Sequence, residues 1–166
     1  MILGMTTATY TLIHVVISLV GIASGFVVAL GLLGGKRLDG WTALFLVTTV
    51  ATSVTGFGFP FDHLLPAHKV GIISLVVLAV AILARYAFHL AGAWRRIYVI
   101  TALIALYLNV FVLVVQSFEK VPALKTMAPT QSEPPFLVAQ IVVLVLFVVL
   151  TIISAKKFGN QSARTA

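Results

Sequence analysis

The stretch GFGFPFDHLLPAHKVG, residues 56–71, places Asp62, His63 and His68 close together in a chain that holds only four acids and four histidines. His14 lies further back, inside the first apolar run. Imidazole nitrogens with a carboxylate suit zinc, copper or non-haem iron, so His14, His63 and His68, with Asp62 beside them, form a candidate divalent-metal site. Haem b needs axial ligands on facing elements at similar depth, and His14 with His68 is the pair to try. His89 follows His68 by 21 residues, about 30 Å along a helix, and cannot join them. The spacing D-H-x-x-x-x-H matches no strong metal motif, and H-E-x-x-H does not occur. Against the metal reading stands a plain one, in which histidines near a membrane interface bond headgroups or loop carbonyls.

Composition decides what surrounds these residues. The chain has 166 residues, of which 61% are hydrophobic and 9% charged, against roughly 45–50% and 25% in ordinary soluble domains. That balance belongs in a bilayer. The net charge of +7 comes from Lys and Arg clustered at the ends of apolar runs, so it reads as membrane topology and excludes nucleic acid as a partner. With no cysteine, disulfides, thiolate catalysis, iron–sulfur clusters and covalent haem attachment through C-x-x-C-H are excluded.

Five apolar runs, at residues 11–33, 41–59, 70–90, 97–117 and 136–155, each approach the roughly 20 residues that cross a hydrocarbon core. Glycines, prolines and charges separate them, in GGKRLDG, AGAWRR and APTQSEPP. The expectation is an all-α polytopic bundle of five transmembrane helices forming one domain, with a short basic tail at 156–166. Met1–Tyr10 carries no positive charge and the run after it is too long for a signal peptide's apolar core, so it reads as a retained span. Lys36, Arg37, Arg95, Arg96, Lys156, Lys157 and Arg164 fall on one side, and Lys69, Lys120 and Lys125 on the other. The richer side is cytoplasmic, which puts the amino terminus outside and the carboxyl terminus inside. Arg85, near the cytoplasmic end of the third span, is expected to snorkel to the interface.

The patterning also indicates which faces pack. His14, Ser18, Gly21, Gly25 and Ala29 form one narrow stripe on the first span, and its small residues predict close helix contact. The second span, with Thr48, Thr49, Thr52, Ser53 and Thr55, is the most polar and is expected to be central. The third and fifth, rich in Val, Leu and Ile all round, are expected to face lipid. Asn109 and Gln116 on the fourth span and Gln140 on the fifth, with His14, set their polar groups in the outer half, beneath Asp62, His63 and His68. These seven residues make a candidate outward-facing polar pocket for a small ligand, metal or haem. Asn109 and Gln116 serve equally as interhelical hydrogen-bond partners.

No G-x-S-x-G, P-loop or G-x-G-x-x-G occurs, and no acid lies within a span, which argues against a hydrolase or an ordinary proton-coupled pump. The segments FGFPFDH, HLAGAWRRIYV and APTQSEPPF resemble small bacterial inner-membrane proteins. The resemblance implies a bacterial cytoplasmic membrane and this topology, and it carries no activity. The expectation is therefore a non-catalytic ligand- or cofactor-binding membrane protein, an accessory subunit of a larger complex or a homo-oligomer. A structural assembly partner and a small oligomeric channel or transporter are the alternatives.

Overall fold

A computed structural model describes residues 2–161. Arg164, one of the seven basic residues of the charge asymmetry, lies outside them, as do the last residues of the basic tail, 162–166. The described residues form α1 (Thr7–Leu33), α2 (Asp39–Gly56), α3 (Pro66–Ile82), α4 (Trp94–Lys120), a short α5 (Pro122–Met127) and α6 (Pro134–Gly159). One π-helical turn, Leu83–Ala87, continues α3.

Local chemistry explains the boundaries. The Thr6 hydroxyl accepts from the Thr9 amide at 3.1 Å and opens α1. Gly35, at φ 70°, turns the chain after it, a conformation that costs glycine little. Pro66, Pro122 and Pro134 each occupy a first-turn position, where the missing N–H has no helical partner to lose. His68 is thereby drawn into the first turn of α3 and out of the connecting loop.

The five long helices run antiparallel in chain order. At one end of the bundle Thr55 of α2 meets His14 of α1 and Ser53 bonds Ser74 of α3. At the other end Leu38 packs on Gly31, and Asp39 pairs with Arg85. Helices α1, α2, α3 and α4 close a ring, and α6 packs on α1 and α4 from outside. Gly21 and Gly25 stand at close contacts between helices: a Cβ on Gly25 would lie 2.5 Å from Leu106 Cδ1 and 3.0 Å from the Phe45 ring, and one on Gly21 would lie 3.2 Å from Thr48 Oγ1. Lipid gives apolar side chains no reason to leave it, so such close approach and its dispersion energy hold the ring together.

Helices α1, α4, α6 and α3 with its π turn are long and apolar enough to cross a bilayer. Only 11% of the apolar window of α6 is buried, against 44% for α1, which makes α6 the peripheral helix. Helix α2 is shorter, with 18 residues, and richer in hydroxyls. Its polarity is one-sided: Thr42, Thr49 and Ser53 are buried, whereas Trp41, Ala43, Leu44, Val47 and Val54 are exposed.

Candidate functional site

Where small residues face one another across the ring, the helices do not fill the space between them. A cavity of about 750 Å³ lies among the halves of α1, α2, α3 and α4 nearest the His14 end, within the size range of sites for small organic ligands. Its wall is mainly apolar, with Val15, Leu19 and Ile22 from α1 and Leu108, Val112 and Leu113 from α4. Val15, Leu19 and Leu113 are 43%, 49% and 37% exposed. They flank a lateral opening between α1 and α4. The two helices approach each other where Leu106 reaches Gly25, beyond the cavity's inner end.

Polar groups line the cavity's α2 side in tiers. In the first, His14 Nδ1 and Thr55 Oγ1 are 2.8 Å apart. The Thr55 hydroxyl already donates its one hydrogen to the Ala51 carbonyl at 2.7 Å, the usual back-bond of a helical threonine. With its hydrogen so placed it accepts from His14, which assigns the imidazole hydrogen to Nδ1 and a lone pair to Nε2. Phe59 holds the ring edge-on, with centroids 5.3 Å apart, and Tyr10, which donates to the Thr55 carbonyl at 2.8 Å, braces Phe59 in turn. Thr52 lies one turn deeper. Unlike Thr48, Thr55 and Thr101, it makes no back-bond, and its Oγ1 is buried with no partner among the described residues. In the deepest tier the Asn109 amide donates to Thr49 Oγ1 at 3.3 Å.

Of the residues singled out by sequence, His14, Asn109 and Gln116 line this cavity, and Asp62, His63, His68 and Gln140 do not. Asp62 and His63 are exposed on the α2–α3 connection. His68 is 6% exposed: its Nδ1 accepts from the Leu65 amide at 3.2 Å, and its ring sits 4.1 Å from Phe61 and 5.4 Å from Phe57. Gln140 joins α6 to α4 by donating to the Phe111 carbonyl at 3.3 Å. Among the described residues, no three His, Asp or Glu side chains stand together as metal ligands. Glu133, on the connection into α6, is tied to its own loop: desolvation would raise its pKa, but bonds from the Thr130 hydroxyl and nearby amides hold it below its ordinary value.

A second polar cluster, at the opposite end, is one that the sequence pattern does not reveal. Arg85 reaches the α1–α2 connection through the interior of the bundle. The π turn rotates it inward, and its side chain, 3% exposed, pairs with Asp39 and donates to the Arg37 carbonyl at 3.3 Å. Its guanidinium carbon lies 5.2 Å from the Tyr98 ring centroid, a cation–π distance. The available signal was that Asp39 is the one acid on that side, and an arginine within a span requires a partner.

No protein-family model, curated protein or solved structure matches the chain.

Proposed function

We propose that this is a non-catalytic membrane protein that holds a small, mostly apolar molecule in the cavity between α1, α2, α3 and α4. The observation that carries the reading is the cavity itself, with an apolar wall, exposed residues at its edge and the uncharged polar side chains of His14, Ser53, Ser74 and Asn109 on its lining. In this reading all five long helices cross the bacterial cytoplasmic membrane. The exposed face of α2, apolar from Trp41 to Val54, supports it as the fifth span. The charge asymmetry places the His14 end outside and the Arg85 end in the cytoplasm.

The metal and haem alternatives need His14 to meet His63 or His68, and His68 is enclosed by Phe57 and Phe61 while His63 stands on the exposed connection. A role as an assembly partner draws on the exposed apolar rows of α6, which lipid covers equally well.

Native mass spectrometry of protein extracted from membranes in mild detergent tests the proposal. A bound small molecule is expected on the wild type and not on Ser74→Phe, whose ring would occupy the cavity. A wild type that carries no molecule and takes up no added apolar probe overturns it. For topology, a tag before Met1 is expected to be reachable from outside and a reporter after Ala166 to report the cytoplasm. Finding both ends on one side would remove a span, α2 first.

A further inference from the structure

We infer that the cavity selects a neutral apolar molecule bearing a hydroxyl group, such as an alkylphenol or a long-chain alcohol, whose hydrogen is received by Nε2 of His14. This rests on the cavity being a binding site and adds the chemistry of what it takes.

Hydrogen counting on α1 and α2 leads to the headgroup. Because Thr55 spends its hydrogen on Ala51, His14 must donate through Nδ1, and Nε2 is left as an acceptor with no partner among the described residues. His14 lines a mainly apolar cavity, where an open acceptor gains most from a partner that brings a hydrogen, so the site favours a ligand with a donor. The Oγ1 of Thr52, one turn deeper on α2, is enclosed by protein and is not open to that group. A ligand hydroxyl would therefore give its hydrogen to His14 alone.

Charge and shape restrict the rest of the molecule. A carboxylate has no hydrogen to offer Nε2 and would set negative charge against its lone pair. The one charged side chain on the wall is Lys120, which stands at the rim with its side chain 70% exposed, so positive charge meets an anion at the mouth and none stands beside His14 on the wall. The body of the ligand lies against Leu19, Leu108 and Val112, with the opening between Val15 and Leu113 beside it. An apolar body fits that wall, and the exposed lining residues Val15, Leu19 and Leu113 on the flank and Thr11, Ala67 and Lys120 at the helix ends leave it a way in.

Three probes with one body separate these requirements: para-octylphenol, its methyl ether and para-octylbenzoate, titrated against the full chain in lipid nanodiscs with partition into empty discs subtracted. The phenol is expected to bind about tenfold more tightly than the ether, the worth of one well-placed hydrogen bond, and the benzoate no more tightly than the ether. His14→Leu should erase the preference for the phenol, and His14→Gln, which keeps an acceptor oxygen, should retain most of it. Thr55→Val gives a second route, since without the Thr55 oxygen the imidazole hydrogen can move to Nε2 and the preference should fall. Equal binding of phenol and ether, tightest binding of the benzoate, or an undiminished preference in both His14→Leu and Thr55→Val overturns the inference. If all three probes bind alike and Ser74→Phe abolishes binding, the cavity remains a binding site and the hydroxyl selection alone is wrong. Failure of every probe on the wild type overturns both.

Discussion

The two ends of the bundle each gather polar residues from several helices, and they use the space between the helices differently. At the His14 end most of the polar side chains are small: Ser18, Ser53, Ser74 and Ser117 stand with His14, Asn109 and Gln116 around a cavity of about 750 Å³. At the Arg85 end they are large. The buried side chains of Arg85, Tyr98 and Phe158 fill the space, with Tyr98 and Phe158 ring centroids 6.3 Å apart. The Tyr98 and Thr42 hydroxyls are neighbours there without a well-formed hydrogen bond. Polarity inside a membrane bundle therefore does not by itself mark a binding site. The volume of the side chains that carry it decides whether the space is closed or left open to a ligand.

That contrast is sharpest at the ion pair. Asp39→Ala is expected to have the largest effect, about 3 kcal/mol of stability, because it strands a buried guanidinium that cannot give up its proton. Solvent reaches Asp39, which keeps the value at the low end for such changes. Thermal unfolding in detergent would show it, and probe binding at the far cavity should not change. Gly25→Leu follows, at about 1–3 kcal/mol of overpacking against Leu106 and Phe45, read by the same assay with Val20→Leu as an exposed control. Equal tolerance at both positions would show that the glycine stripe is not a contact. Arg85→Met should cost less than Asp39→Ala, about 1 kcal/mol or below, since it replaces the charge by apolar volume and leaves Asp39 in water. The reverse order would mean that the Arg85 end is held by the arginine's packing and not by charge compensation. Smallest of all, Asp62→Ala and His63→Ala should each stay within about 0.5 kcal/mol and leave probe binding intact, and a marked loss of binding would extend the cavity to the α2–α3 connection.

Much of the framework was legible because it depends on long averages. Every apolar run became a helix, with ends extended into flanking residues such as Thr7, Lys120 and Pro134, where capping and proline chemistry override hydropathy, while the second and third stop at Gly56 and Ala87, short of 59 and 90. The His14–Gly25 stripe was readable because small residues that recur at helical spacing in an apolar span serve the close approach of a second helix. Three features were not. The π turn depends on backbone bonding that has no composition of its own. The burial of His68 depends on Phe57 and Phe61 folding over the first turn of α3. The cavity is a property of four helices jointly, and the sequence of one helix shows its own small residues but not whether a neighbour supplies a large one opposite.

The π turn makes the closure of the Arg85 end a matter of counting residues. Phe88 bonds back to the Leu83 carbonyl at 2.9 Å, five positions away where an α-helix would use four, so the turn holds one residue more than an α-helix would. Deleting Leu83 or Ala84 would remove that extra residue and let the turn close with α-helical bonding, with the helix before it still in its present phase. The inward face of α3, with Ser74, Leu78 and Ala81 against the ring, would be kept, while Arg85, inside the turn, would lose the bearing that aims it at Asp39. The residue count of this one turn is thus what sets the ion pair, separately from the packing of the helix that leads into it.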